Sequence, residues 1–194
     1  MERTKPSILY VDDESENLSG FKFSFRRQYQ IFTATSGKEG LEILRKQQAL
    51  DAPIALVITD QRMPQMTGVE LLEIIAQNYP DTVRMVVTGY SDVEAVMQAI
   101  NKGGAFRYLT KPWNAEELGQ TIEKALNYYC LREENKQLVK QLQTSLQEVE
   151  TLKQKLEEEN LYLKQEITLN NNFEQIISNS KLFHKTLKQI EQVA

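Results

Sequence analysis

Asp12, Asp13 and Glu14, then Asp60, Thr88 and Lys111, are spread over nearly a hundred residues, yet each group follows or ends a short apolar run. Carboxylates gathered without cysteine or histidine suit a hard, oxygen-seeking cation, and Mg²⁺ with part of its water shell is the natural guest. Without a cation they would repel one another. A carboxylate can also attack a phosphoryl group to give an acyl phosphate, provided metal and cationic side chains neutralise the transferring oxygens. Lys111 would bring an ammonium to that task and Thr88 a hydroxyl donor. The plainer alternative makes Asp12 and Asp13 caps of a first helix and Asp60 the opening of a turn before Pro64. Isolated caps need not recur at one strand end after another, so the recurrence favours a shared site.

The elements that would position these residues alternate in type. Apolar, β-branched runs at Ser7 to Val11, Tyr29 to Ala34, Ile54 to Thr59, Val83 to Thr88 and Ala105 to Thr110 read as strands. Between them, helices are expected over about Ser15 to Arg27, Ser36 to Gln48, Gly68 to Asn78 and Ser91 to Asn101, with a fifth beginning at Asn114. Ser36 and Ser91 are placed as caps, with Glu39 and Glu94 three residues on. Five βα units predict an α/β fold with a parallel sheet covered on both faces. In such sheets the site forms outside the carboxyl ends of the strands, near the point where strand order reverses.

Composition sets the limits. The chain has 194 residues, with 23 Lys and Arg against 27 Asp and Glu, a net charge of −4. Up to Cys130 there are 14 basic and 17 acidic residues, and beyond it 9 and 10. Neither part has the basic surplus that phosphate-backbone binding needs, so no direct nucleic-acid binding by this chain is expected. No apolar run approaches the roughly 20 residues of a membrane span, and the opening Met-Glu-Arg-Thr-Lys-Pro lacks a signal-peptide core. No membrane association and a cytoplasmic location are therefore expected. Lone Cys130 and lone His184 leave no set for a disulfide or a structural zinc site, and both are read as structural. All 8 Gly and 5 Pro fall at or before Gly119, so the 75 residues from Gln120 onward have the composition of continuous helix.

Four ordered motifs carry a resemblance. Ile-Leu-Tyr-Val-Asp12-Asp13-Glu14, Val-Ile-Thr-Asp60-Gln-Arg-Met-Pro64-Gln-Met-Thr-Gly68, Val-Val-Thr88-Gly89-Tyr and Tyr108-Leu-Thr-Lys111-Pro112-Trp resemble the receiver domain of two-component response regulators, over about residues 5–128. The resemblance implies a flavodoxin- or CheY-like doubly wound five-stranded parallel sheet of order 2-1-3-4-5. It implies that Asp60 accepts a phosphoryl group from a sensor histidine kinase. It also implies that Asp13, Asp60 and the Arg62 backbone carbonyl bind Mg²⁺, with Asp12 in the metal set through water. Lys111 would pair with the phosphoryl oxygens, across a cis Lys111-Pro112 peptide.

By the same resemblance Thr88 moves to meet the phosphoryl group while Tyr108 turns inward, reshaping the face of the fourth helix, fifth strand and fifth helix. In physical terms this is a bistable element biased by new charge-assisted hydrogen bonds. Arg62, two residues beyond Asp60, and Tyr90, two beyond Thr88, are both large. The expectation is that they hinder in-line water and lengthen the life of the phosphoryl group; two ordinary exposed loop side chains are the alternative.

From Tyr128 a heptad can be written unbroken. Position a takes Tyr128, Asn135, Leu142, Val149, Leu156 and Leu163, and position d takes Leu131, Leu138, Ser145, Leu152, Glu159 and Glu166. Five of six a positions and three of six d positions are apolar, an imperfect coiled-coil seam. Asn135 at a would hold two parallel strands in register, and Glu148 at g would face Lys153 at e, so a parallel homodimer over 129–167 is expected. At ~1.5 Å per residue, Tyr128 to Leu163 would form a rod of about 54 Å. A single solvated helix is the alternative.

The heptad lapses over 168–194, where apolar residues return. Tyr162-Leu-Lys-Gln-Glu-Ile167, Phe173-Glu-Gln-Ile-Ile-Ser-Asn-Ser180 and Val193-Ala194 are similar to the entry segment of the AAA+ module in NtrC-like, sigma-54-dependent transcription activators, with Ser178 where Gly is usual. The chain holds no Gly-x-x-x-x-Gly-Lys-Ser/Thr loop, so it is expected to be the amino-terminal part of a longer regulator and no enzyme itself. Contact with sigma-54 RNA polymerase would run through the missing domain. A receiver driving another output, such as a cyclic-dinucleotide enzyme or a kinase, stays open. An aspartyl-phosphate phosphatase is disfavoured, because Arg62 stands where that mechanism needs a second Asp.

Overall fold

The computed structural model describes residues 5–89, 107–179 and 185, with backbone alone over 169–179. In chain order the described elements are β1 (Ser7–Val11), α1 (Ser15–Phe25), β2 (Gln30–Ala34), α2 (Gly37–Ala49), β3 (Leu56–Asp60), α3 (Gly68–Asn78), β4 (Val83–Thr88), β5 (Arg107–Thr110) and α4 (Ala115–Asn179). The helix expected over Ser91 to Asn101 lies outside the described residues, as does its Ser91 cap.

All pairings are parallel and the sheet order is β2-β1-β3-β4-β5, the doubly wound order that the resemblance implies. Consecutive strand residues point to opposite faces. On one face Ile8, Tyr10, Leu56, Ile58, Met85 and Val87 pack with Phe21 and Phe25 of α1 and with Leu118 and Ile122 of α4. On the other, Leu9, Val11, Val57 and Val86 pack with Leu44 of α2 and with Leu71 and Ile75 of α3. Helices on both sides explain why β1, β3 and β4 are near-continuous apolar runs instead of alternating ones. Strand order reverses between β1 and β3, so their carboxyl ends flank the switch point.

Capping fixes where the helices start. Ser36 accepts a hydrogen bond from the Glu39 N–H, and Asn114 from that of Glu117. Glu39 itself accepts from the backbone N–H and hydroxyl of Thr35, one residue earlier than a capping box would have it. The full box belongs to α3, where Thr67 and Glu70 exchange hydrogen bonds.

The chain divides into two compact units, residues 1–135 and 136–194. The first holds the sheet and its covering helices. Within it, Arg132 Nη1 donates to the Pro80 carbonyl (3.0 Å) and Nη2 lies 3.7 Å from Asp81. In the second unit the heptad positions Leu138, Leu142, Val149, Leu152, Leu156 and Leu163 are 49 to 70% exposed in the single chain.

Candidate functional site

Register alone brings the acidic residues together. Val11 of β1 lies opposite Thr59 of β3, so the next residues, Asp12 and Asp60, leave the sheet side by side at the switch point. Thr59 is likewise opposite Val86 of β4, and Thr88 of β4 is opposite Thr110 of β5, which sets Lys111 at the same edge. The Lys111 N–H donates to the Thr88 carbonyl at 2.8 Å, extending that ladder by one bond. The Lys111-Pro112 peptide is cis.

Lys111 Nζ sits between two carboxylates, 2.5 Å from Asp60 Oδ1 and 3.1 Å from Asp12 Oδ2. Burial pulls the lysine's affinity for its proton down, but hydrogen bonds and charge from Asp60 and Asp12 outweigh it and hold the pKa above the ordinary value. Asp60 is 7% exposed, and its Oδ2 accepts the Arg62 N–H at 2.8 Å. Thr88 is buried at the end of β4, and its hydroxyl donates to the Gly89 carbonyl at 3.2 Å. Tyr108 is half-buried against the α2/α3 side of the sheet.

Asp12, expected in the metal set through water, is engaged by protein donors on both oxygens. It has no exposed surface. Oδ1 accepts the Glu14 N–H (3.0 Å), Oδ2 accepts the Tyr10 hydroxyl (2.8 Å) and the Lys111 ammonium, and Asn17 Nδ2 contacts both (3.0 and 3.1 Å). Burial raises its pKa, but the hydrogen bonds from Asn17, Tyr10, the Glu14 N–H and Lys111 prevail and hold it below the usual carboxylate range. Burial, with the charge of Asp12, pushes the Tyr10 hydroxyl far up, so it stays a donor. Among the described residues no three His, Cys, Asp or Glu side chains stand together as a ready metal site. The Lys111 ammonium bridges Asp12 and Asp60. Exposed Asp13, Asp60 and the backbone carbonyl of Arg62 are an all-oxygen donor set that suits Mg²⁺, which usually takes one or two carboxylates and keeps several waters.

Three participants escaped the sequence reading. Tyr10 and Asn17 orient Asp12, and Gln61 ties the loop after Asp60 to α3: its carbonyl accepts the Gly68 N–H (3.1 Å) and its side chain the Val69 N–H (3.2 Å). Tyr10 is a residue of the β1 run, and residues two apart on a strand share a face, so its hydroxyl points the same way as Asp12. Tyr90 lies outside the described residues, and Arg62 enters the described site through its backbone N–H.

Residues 8–123 match the family model of the response regulator receiver domain. Among curated relatives, a hydrogenase transcriptional regulatory protein, HoxA of Cupriavidus necator, is 30% identical over 145 residues, 75% of this chain and 29% of its own length. The transcriptional regulatory protein ZraR of Escherichia coli is 37% identical over 120 residues, 61% of this chain and 26% of its own. The chain thus spans between a quarter and a third of the length of these two relatives. Among solved structures, a response regulator receiver domain protein of Clostridium thermocellum aligns with a TM-score of 0.59 at 35% identity, over 65% of this chain and 98% of that one. A CheY-like receiver domain protein of Methanospirillum hungatei aligns at 0.60 and 28% identity, over 66% of this chain and 99% of that one. A parallel sheet of order 2-1-3-4-5, an aspartate and a lysine in contact at its switch-point edge and a family match over most of the first unit agree, and the chain belongs to the response regulator receiver domain family.

Proposed function

We propose that the receiver is a phosphorylation switch in which Asp60 takes a phosphoryl group from the phosphohistidine of a sensor kinase. The observation that carries this reading is the Lys111 ammonium held against Asp60 at the carboxyl edge of the sheet. A carboxylate oxygen of Asp60 would attack phosphorus, the bond from phosphorus to the imidazole nitrogen would break, and the imidazole would keep the electron pair. Lys111, raised in pKa and so charged, would neutralise the incoming oxygens. The Arg62 N–H donates to Asp60 Oδ2 and Lys111 faces Oδ1, so both oxygens of the nucleophile are oriented by protein donors. When bound by Asp13, Asp60 and the Arg62 carbonyl, Mg²⁺ would supply further charge neutralisation for phosphoryl transfer.

Thr88 would then exchange its hydrogen bond to the Gly89 carbonyl for one to a phosphoryl oxygen, and Tyr108 would turn inward. Arg62 and Tyr90 are the candidates for slowing hydrolysis. No helix among the described residues is long and apolar enough to cross a membrane. We assign the regulator to the cytoplasm. The exposed a and d residues of 136–167 give a second copy of the chain a seam to cover, with Asn135 setting parallel register. We assign 5–128 to the receiver, 129–167 to the dimerising linker and 168–194 to the opening of an output module.

The transcriptional regulators among the relatives support transcription control as the output, and the tail motif supports its sigma-54-dependent form. The receiver reading is tested with acetyl phosphate and Mg²⁺. One phosphoryl group retained per chain is expected; sustained turnover of acetyl phosphate would indicate a phosphatase instead.

A further inference from the structure

Asp12 is the most heavily engaged carboxylate of the site, and the engagement is uneven. Lys111 Nζ and the Tyr10 hydroxyl meet on the same oxygen, Oδ2, at 3.1 and 2.8 Å. Tyr10 is 1% exposed and its ring stacks on Phe21 of α1, with centroids 4.4 Å apart and planes 22° from parallel. The ring is therefore held by packing, and its hydroxyl is aimed at Asp12 by the strand, two residues upstream on the same face.

We propose that Tyr10 is a positioning residue for phosphoryl acceptance, its hydroxyl occupying Asp12 Oδ2 so that Lys111 remains shared with Asp60 instead of being drawn onto Asp12. The proposal rests on the reading of Asp60 as the phosphoacceptor. Its logic is competition for lone pairs. A buried carboxylate that loses a neutral donor must recover the interaction from its remaining partners. The mobile partner is Lys111, since Glu14 contributes a backbone N–H and Asn17 is anchored on α1. Every increment of attraction to Asp12 is taken from the ammonium's contact with Asp60, where the phosphoryl oxygens would need it.

Tyr10→Phe keeps the ring and its stacking and removes only the hydroxyl. Calorimetric titration with beryllofluoride, a phosphoryl mimic, at saturating Mg²⁺ reads the Lys111 contact, and titration with Mg²⁺ alone reads the metal ligands. Tyr10→Phe is expected to bind beryllofluoride roughly tenfold more weakly, the low end of what losing an outer partner of a site residue costs, with Mg²⁺ affinity unchanged. Beryllofluoride affinity equal to the parent's, or an equal loss of Mg²⁺ affinity, would overturn the proposal. Asn17→Ala, on the solvent side of Asp12, also strips a donor from Oδ2 and is expected to weaken beryllofluoride binding in the same direction; parental affinity there would overturn it too. A parent chain that binds Mg²⁺ but no beryllofluoride would instead contradict the phosphoacceptor reading itself.

Discussion

Gly68, the first residue of α3, lies directly against the backbone carbonyl of Asp60. A Cβ built on Gly68 would overlap the Asp60 carbonyl oxygen and crowd the carbonyl carbon (3.0 Å) and the Gln61 Cα (3.1 Å). These atoms are all backbone, so nothing can rotate aside. The start of α3 and the end of β3 are thus locked together, and the loop between them, which carries Arg62, is anchored at both ends.

Gly68→Ala is accordingly expected to destabilise the receiver by about 1 to 3 kcal/mol, the usual cost of overpacking a closed contact. Urea unfolding checks this, and a midpoint equal to the parent's would contradict the close approach.

Lys111→Ala removes the cation that lies between Asp12 and Asp60. Without Mg²⁺ it is expected to cost about 1 to 3 kcal/mol, because the carboxylates lose a charged partner and repel. Saturating Mg²⁺ should narrow the gap, since a ligand that binds only the folded state stabilises it. Urea unfolding in EDTA and in Mg²⁺ measures both; a gap that Mg²⁺ leaves untouched would contradict the shared-charge picture.

Much of this arrangement was legible in the sequence, for identifiable reasons. β1, β3 and β4 are covered on both faces and so announce themselves as apolar runs ending on Asp12, Asp60 and Thr88. The boundaries were less legible where burial and pairing part company. Ile54 and Ala55 are buried and read as strand; β3 begins at Leu56, opposite Ile8, although the Ala55 N–H still donates to the Ser7 carbonyl. β2 is a half-exposed edge strand, and Tyr29, expected to open it, packs beside the sheet instead. The resemblance implies different roles for the two aspartates, Asp13 on the metal and Asp12 through water, but not the packing that separates them. Asp12 and Asp13 are adjacent in sequence and identical in chemistry. Only the packing of Tyr10, Asn17 and Lys111 around one of them separates a buried carboxylate from an exposed one.

The same packing predicts a pH dependence. The folded Asp12 holds its pKa below the unfolded value, so the stability it contributes is complete above about pH 4 and is lost as pH falls through the folded value. Lys111 and Tyr10 are shifted upward, so their contribution is complete below about pH 10 and is lost as pH rises through the folded values. Thermal melts in EDTA across this range should show both limbs. Asp12→Asn should flatten the acid limb; a Tm that still falls as steeply as the parent's would contradict the assignment.

In the second unit, Leu142→Asp combined with Leu152→Asp places charges at a and d positions that are 70% and 65% exposed in the single chain. Sedimentation equilibrium should find a dimer for the parent and a monomer for the variant, as buried unpaired charge opposes a coiled-coil seam. A parent that stays monomeric at high micromolar concentration would remove the homodimer.

On the proposed reading, Asp60 is the residue that carries the phosphoryl group. After incubation with acetyl phosphate and Mg²⁺, borohydride reduction converts an acyl phosphate to an alcohol, and peptide mass spectrometry locates the reduced residue. Reduction is expected at position 60 alone, and none in Asp60→Asn. Reduction at Asp12 or Asp13, or no reduction in a folded, Mg²⁺-saturated chain, would contradict it.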